Sequence, residues 1–295
     1  MAVLKYDSED EKKSLTVWDR LSGPEKEEVF AFCEGYRDFL DRGKTEREVA
    51  DEVIKMARSK GFCDLREKTV LHPGDRVFSV NRHKEIVLAV VGKQPPERGL
   101  ALVGAHTDSP RIDLKPEPLF EDGHLSLFKT HYYGGIKKYQ WVGIPLSLHG
   151  LVARQDGNVV PVRLGEHPGD PVFTITDLLP HLSKDQMEKK MSEGIAGEAL
   201  NILVGSIPAE GAEVKHRVKQ GVIEHLKKMY GIEEEDFISA ELEAVPAWPA
   251  RDVGFDRSLL GAYGQDDRSC AYAAVRALLE IDSPEKTAVV LLAGA

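Results

Sequence analysis

Cysteine is scarce in this chain. Cys33, Cys63 and Cys270 are the only three in 295 residues. They are odd in number, widely spaced and form no Cys-x-x-Cys pair, so the sequence carries no disulfide framework and suits a reducing compartment. Positive charge is also in deficit. The 39 Lys and Arg stand against 49 Asp and Glu, and the formal net charge of −10 argues against nucleic acid or an anionic membrane as partner. No apolar run approaches the ~20 residues of a membrane-spanning helix. The charged first ten residues lack the apolar centre of a signal peptide. Internal repeats and low-complexity stretches are missing too. These absences predict a soluble cytoplasmic protein. What is present, 42% hydrophobic and 30% charged residues, is enough to bury a large core in one large domain or two ordinary ones.

The stretch that organises the rest is Leu100-Ala-Leu-Val-Gly-Ala-His-Thr-Asp-Ser-Pro110. Its apolar half has the length of a buried strand, and its polar half sits where such a strand leaves a sheet. Ligands collect at the carboxyl ends of strands in open α/β sheets. His106 and Asp108 are two apart, so in extended chain they project to one side. A metal-binding histidine needs a carboxylate on its other ring nitrogen, and this spacing supplies one; a turn with an Asp cap is the alternative.

Before that stretch, Ser22 with Pro24 and then Thr45-Glu-Arg-Glu48 each open a helix, and Gly61 stops the second. Arg76–Asn81 and Glu85–Gly92 read as strands joined by a turn at 81–84. Helices followed by β-rich segments and an apolar strand fit an α/β domain. From residue 111 to about 180 the texture becomes short alternating segments with many Gly and Pro, and Asp156-Gly-Asn158 is a hairpin signal. This reads as an all-β insert. A helix over Asp185–Leu200 is weakened by Gly194 and Gly197, and a further helix spans Val214–Tyr230. Phe237–Val245 alternates as a strand with one wet face, and Thr287–Ala293 is a last buried strand.

Asp266 and Asp267 lie between a Gly-rich turn and an amphipathic helix. Two consecutive carboxylates there allow helix capping, a bridging metal ligand, or one role each. His131-Tyr-Tyr-Gly-Gly-Ile-Lys-Lys-Tyr-Gln-Trp141 packs ring and amine groups around glycines that let backbone approach a ligand, or is a hairpin with exposed aromatics. His181, after Leu178-Leu-Pro180, says nothing by itself.

These motifs together resemble the aspartyl-aminopeptidase family of zinc peptidases, in its bacterial and archaeal branch. The resemblance rests on residues 105–116, 131–141, 179–182 and Gln265-Asp-Asp-Arg268, in the family's order. It implies a zinc-peptidase α/β three-layer catalytic domain, residues 1–116 plus 237–295, with a β-rich dimerisation and lid domain inserted at 117–236. It implies two zinc ions per complete site, with cobalt or manganese as possible substitutes. His106 and Asp266 match metal ligands, Asp266 bridging. Asp108 matches the catalytic carboxylate that orients His106, and His181 a histidine that the insert lends to a substrate pocket across a dimer. The implied activity is hydrolysis of N-terminal residues, with acidic ones as the family name's preference, from peptides, by subunits that pair and build dodecamers.

The family's adjacent glutamates follow the strand that here ends at Ala293, where this sequence has Gly294 and Ala295. Two expected metal ligands are present, fewer than the three a catalytic zinc normally has. The chain alone is therefore expected to bind metal weakly, to leave an apolar sheet face uncovered, and not to turn over peptide. Two alternatives stand beside the aminopeptidase: a truncated, non-catalytic oligomerising paralogue, and an N-acyl amino acid deacylase or carboxypeptidase with the same metal core.

Overall fold

Thr45 begins the better-defined of two opening helices through a reciprocal cap. Glu48 N–H donates to Thr45 Oγ1 at 3.2 Å, and Thr45 N–H donates to the Glu48 carboxylate at 3.1 Å. In the computed structural model, which describes residues 16–210 and 215–294, this helix is α2 (Glu46–Ser59) and its predecessor α1 (Gly23–Arg42). The chain continues through β1 (Cys63–Asp64), β2 (Arg76–Asn81), β3 (Glu85–Val90), β4 (Ala101–His106), β5 (Arg111–Asp122) and β6 (Leu125–Tyr133). Then come β7 (Leu146–Ala153), β8 (Val159–Leu164), β9 (Thr174–Ile175), α3 (Lys184–Met187) and β10 (Ile202–Gly205). The last elements are α4 (Arg217–Tyr230), β11 (Ala240–Pro246), β12 (Arg251–Val253), β13 (Leu259–Gly261), α5 (Gln265–Leu279) and β14 (Ala288–Ala293). Val214 and the first fifteen residues, where a helix start and the absence of a leader were read, lie outside the described residues.

Five strands form the first sheet in the order β1-β2-β3-β14-β4. One face carries Phe78, Ile86, Leu88, Val90, Val290 and Leu292, buried against Val49 and Val53 of α2 and Ala271, Val275 and Leu278 of α5. Val49 and Val53 stand at i and i+4, and Ala271, Val275 and Leu278 at i, i+4 and i+7, which gives each helix an apolar stripe over the apolar sheet face. On the opposite face Val87, Leu102 and Leu291 are exposed.

The organising strand is a correction. Residues 100–105 were expected to be buried, yet β4 is an edge strand, paired on one side by parallel β14, and Leu102 is 60% exposed. Hydrophobicity marked a strand made for burial; which faces are covered depends on its neighbours.

The second sheet has seven strands, β8-β7-β11-β5-β6-β10-β9, and every neighbouring pair is antiparallel. It draws on residues from Arg111 to Pro246, a span that contains the 117–236 segment read as an insert and extends past it at both ends. Its apolar face buries Ile112, Phe128, Leu148, Leu242 and Ala244, with Val222 and Leu226 of α4 packed against them. The other face carries a row of charged and polar residues in register: Arg163, His149, Glu243, Asp113 and His131 on five consecutive strands. Part of that row is buried against the start of α2, where His149 meets Glu48 and Arg111 meets Glu46.

Two further expectations change. The strand read at 237–245 begins only at Ala240, after a 3-10 turn over Glu234–Ser239, and Leu242 to Pro246 are all buried because both faces of β11 are covered. The helix read at 185–200 survives only as α3. Beyond it the backbone leaves helical geometry so that Ile195 and Leu200 both reach the second core, while Gly197 leaves room for the Tyr132 ring. All three cysteines are free thiols. No helix among the described residues is long and apolar enough to cross a membrane.

Candidate metal centre

β4 and β14 run parallel and end side by side, Ala293 opposite His106. Past that point the chain is pinned by buried polar groups. Thr107 N–H and Oγ1 donate to the Ala293 carbonyl at 2.8 and 3.2 Å. Arg268, almost fully buried, donates Nε–H to the Thr107 carbonyl at 2.8 Å and Nη2–H to the Lys44 carbonyl at 3.0 Å. Ser109 Oγ donates to the Asp266 carbonyl at 2.9 Å. The end of β4 is thereby fastened to the start of α5, 160 positions further on. Sequence reading placed His106 and Asp266 in separate motifs; the Arg268–Thr107 and Ser109–Asp266 bonds bring them together.

His106 Nε2 lies 3.4 Å from Asp266 Oδ1. His106 Nδ1 is 3.1 Å from the Asp108 carbonyl oxygen and 3.6 Å from Asp108 Oδ1, so its hydrogen bond runs to the backbone and the carboxylate stands just behind. Both neighbours of Nδ1 are acceptors, so a proton carried on Nδ1 would donate to the Asp108 carbonyl and leave the Nε2 lone pair facing Asp266. Asp108 Oδ2 accepts from the Tyr133 hydroxyl at 2.9 Å. Burial, with the hydrogen bond to Asp108 second, raises the Tyr133 phenol above its ordinary value, so it is a hydrogen-bond donor at neutral pH.

Asp266 and Asp267 do not take helical angles. The helix is regular only from Arg268, the Asp266–Asp267 peptide is cis, and the Asp266 side chain is 94% exposed. His181 is exposed, between β9 and α3, and makes no hydrogen bond or ion pair with His106, Asp108 or Asp266 among the described residues. Lys137 and Lys138 follow β6 at the start of a short 3-10 turn.

The donor pair suits zinc. Two ligands at ~2.1 Å on a tetrahedral zinc are about 3.4 Å apart, which matches the Nε2–Oδ1 separation. Imidazole and carboxylate are both ordinary zinc donors. Among the described residues, no group of three or more His, Cys, Asp and Glu side chains is arranged to hold a metal.

Ser109, Tyr133, Arg111 and Arg268 all lie in the motifs singled out from sequence, but sequence reading gave none of them a role. Tyr133 had a usable signal. β5 and β6 flank a turn at Gly123, and the hairpin register sets Tyr133 opposite Arg111, beside the Asp108 loop. Arg268 was marked only as the last residue of the Gln265-Asp-Asp-Arg268 motif, which says nothing of the backbone carbonyls it binds.

Residues 39–293 match the family model described as aminopeptidase I zinc metalloprotease, M18. The chain belongs to this family. It is 47% identical over 285 residues to a probable M18 family aminopeptidase 1 of Clostridium acetobutylicum, covering 95% of this chain and 61% of that protein. The crystal structure of an M18 aminopeptidase from Thermotoga maritima superposes with a TM-score of 0.89 at 48% identity, over 95% of this chain and 60% of that one. A Saccharomyces cerevisiae aminopeptidase 1, solved as a dodecamer, shares the fold with a TM-score of 0.65 at 18% identity, over 88% of this chain and 59% of that one. The chain thus spans about three-fifths of the length of the relatives it matches.

Proposed function

We propose that these residues supply the metal-binding strand end of a zinc-dependent aminopeptidase that removes N-terminal residues from peptides. The observation that carries this reading is the His106 Nε2–Asp266 Oδ1 pair at 3.4 Å, at the carboxyl ends of β4 and β14, in a chain of the M18 family. His106 holds metal through Nε2 while the Asp108 carbonyl fixes its ring. Asp266, exposed at the start of α5, would serve as the bridging carboxylate ligand. Bound zinc supplies a water of lowered pKa and positive charge toward the peptide oxyanion; cobalt or manganese are possible substitutes. Arg268, Thr107 and Ser109 keep both donors in place without reorganisation. The general base and remaining ligands are not among the residues assembled here.

His181 and its exposed neighbours Leu178, Leu179 and Leu182 are suited to meet a second subunit, where His181 contributes to a substrate pocket. Self-association into dimers and then a dodecamer follows the precedent of the yeast relative. A preference for acidic N-terminal residues is part of the reading, with Lys137 or Lys138 as candidate readers of a carboxylate.

A panel of Asp-, Glu-, Leu- and Lys-amides, run with a zinc-binding titration, tests it. Zinc binding and any zinc-dependent release are expected to fall in His106→Ala and in Asp266→Ala. Full binding and activity in both variants would sink the proposal. A non-catalytic oligomerising subunit is the alternative outcome of the same panel; it predicts assembly of the 295-residue chain without hydrolysis of any amide.

A further inference from the structure

The charged face of the second sheet comes to within one side chain of the metal centre. Arg111, at the start of β5, is held by Asp113 at 2.8 Å, Glu243 at 3.2 Å and Glu46 at 3.6 Å. Its guanidinium lies over the Tyr133 ring, 4.2 Å from the centroid. Tyr133 belongs to β6 and pairs with Arg111 across the strands. Its hydroxyl reaches out of the second sheet to Asp108, the residue between the two units. Pro110, packed against Gly134, closes the same corner, and Tyr263 donates to the Pro110 carbonyl at 3.2 Å.

We propose that Tyr133 is a positioning residue for the metal centre. Its hydroxyl fixes the Asp108 carboxylate, and with it the turn that keeps the His106 proton on Nδ1 and the Nε2 lone pair toward metal. The inference rests on the metal-centre reading above. The chemistry requires such a part. Asp108 Oδ1 stands 3.6 Å from Nδ1, too far to hold the ring by itself, so its carboxylate can rotate unless Oδ2 is occupied. Tyr133 occupies Oδ2 with a donor that stays protonated. The cation over its ring, itself held by three carboxylates, fixes where the hydroxyl points. Partners of a ligating histidine matter to the metal in this way, and their loss typically costs about 10–100-fold in affinity.

The test uses the 295-residue chain as wild type, Tyr133→Phe and His106→Ala. Zinc affinity is measured by competition with a chromophoric chelator, and the His106 ring tautomer by NMR on 15N-histidine-labelled, metal-free protein. Tyr133→Phe keeps the ring on Arg111, so its denaturation midpoint is expected to match wild type. Its zinc affinity is expected to fall about 10–100-fold. Its His106 signal is expected to move from a single Nδ1–H pattern toward an average of both tautomers. The tautomer is read without metal and decides the question even for weak binding.

Wild-type affinity with an unchanged tautomer in Tyr133→Phe overturns the proposal. So does a loss of affinity that merely tracks a lowered midpoint, the mark of a structural role. Wild-type zinc binding in His106→Ala is a different failure: it removes the metal-centre reading, and Tyr133's role goes with it.

Discussion

His149 of β7 and Glu48 of α2, 101 positions apart, meet at 2.9 Å inside the contact between the two sheets. The other ring nitrogen of His149 faces Glu166 at 3.0 Å and Ser147 at 3.1 Å, and the side chain is fully buried. Arg163 stands 3.9 Å from Glu48, Lys44 acts on Glu166, and Glu243 is the cross-strand neighbour of His149. Glu48 also caps α2, so one carboxylate ends a helix and holds a sheet to it. Burial presses the His149 pKa down, but the hydrogen bonds to Glu166 and Glu48 outweigh it and leave the group above its ordinary value.

That sign sets a pH dependence. A histidine raised in the folded state contributes stability fully below its unfolded pKa of ~6.5 and loses it as pH rises through the folded value. Removing one member of a buried charge pair costs about 3 kcal/mol or more. His149→Leu is therefore expected to be destabilised by roughly that amount at pH 6, with a gap from wild type that narrows toward pH 9. Urea titrations at the two pH values check it, and a gap that widens with pH refutes it. Glu48 and Glu166 are lowered despite burial, chiefly through hydrogen bonds with His149, so their share is lost on the acid side.

Gly150 sits next to His149 with φ +135°, and a Cβ there would lie 1.9 Å from the Glu241 carbonyl oxygen. No side chain has to move in response, because the obstacle is backbone of the paired strand. Gly150→Ala is expected to cost at least about 2 kcal/mol. A variant whose urea midpoint equals wild type would show that β7 and β11 can separate there at no cost.

Arg268 is the buried donor that fixes the turn after β4. Arg268→Leu leaves the Thr107 and Lys44 carbonyls without their donors, at about 1–3 kcal/mol each. The expected loss is about 3 kcal/mol, with a lower zinc affinity because Thr107 lies between His106 and Asp108. Normal zinc affinity in a folded Arg268→Leu chain would detach this residue from the metal centre.

Leu102 and Leu291 are exposed on one face of the first sheet. Replacing both with Lys is expected to reduce binding of an apolar fluorescent dye to the 295-residue chain. Stability should change by about 0.5 kcal/mol or less per site, as for exposed positions. A large fall in melting temperature would instead mean that these side chains are packed.

The sequence showed what depends on neighbours in the chain. Ser22 and Thr45 marked helix starts because a cap acts within one turn. The 81–84 turn and the β2 and β3 strands were legible because alternation and turn residues are local. His106, Asp108 and Asp266 stood out through chemistry and through the family's motifs, which carried the family assignment across most of the chain. Tertiary structure alone decided that β4 lies at an edge, that β11 is covered on both faces, and that the 188–200 segment leaves helical geometry to fill a core. It also decided how His106 meets Asp266. That distance is set by Arg268 and Ser109, each bonded to backbone far away in the chain. Composition and periodicity carry no record of a hydrogen bond between positions 160 residues apart; only the packed chain brings them within reach.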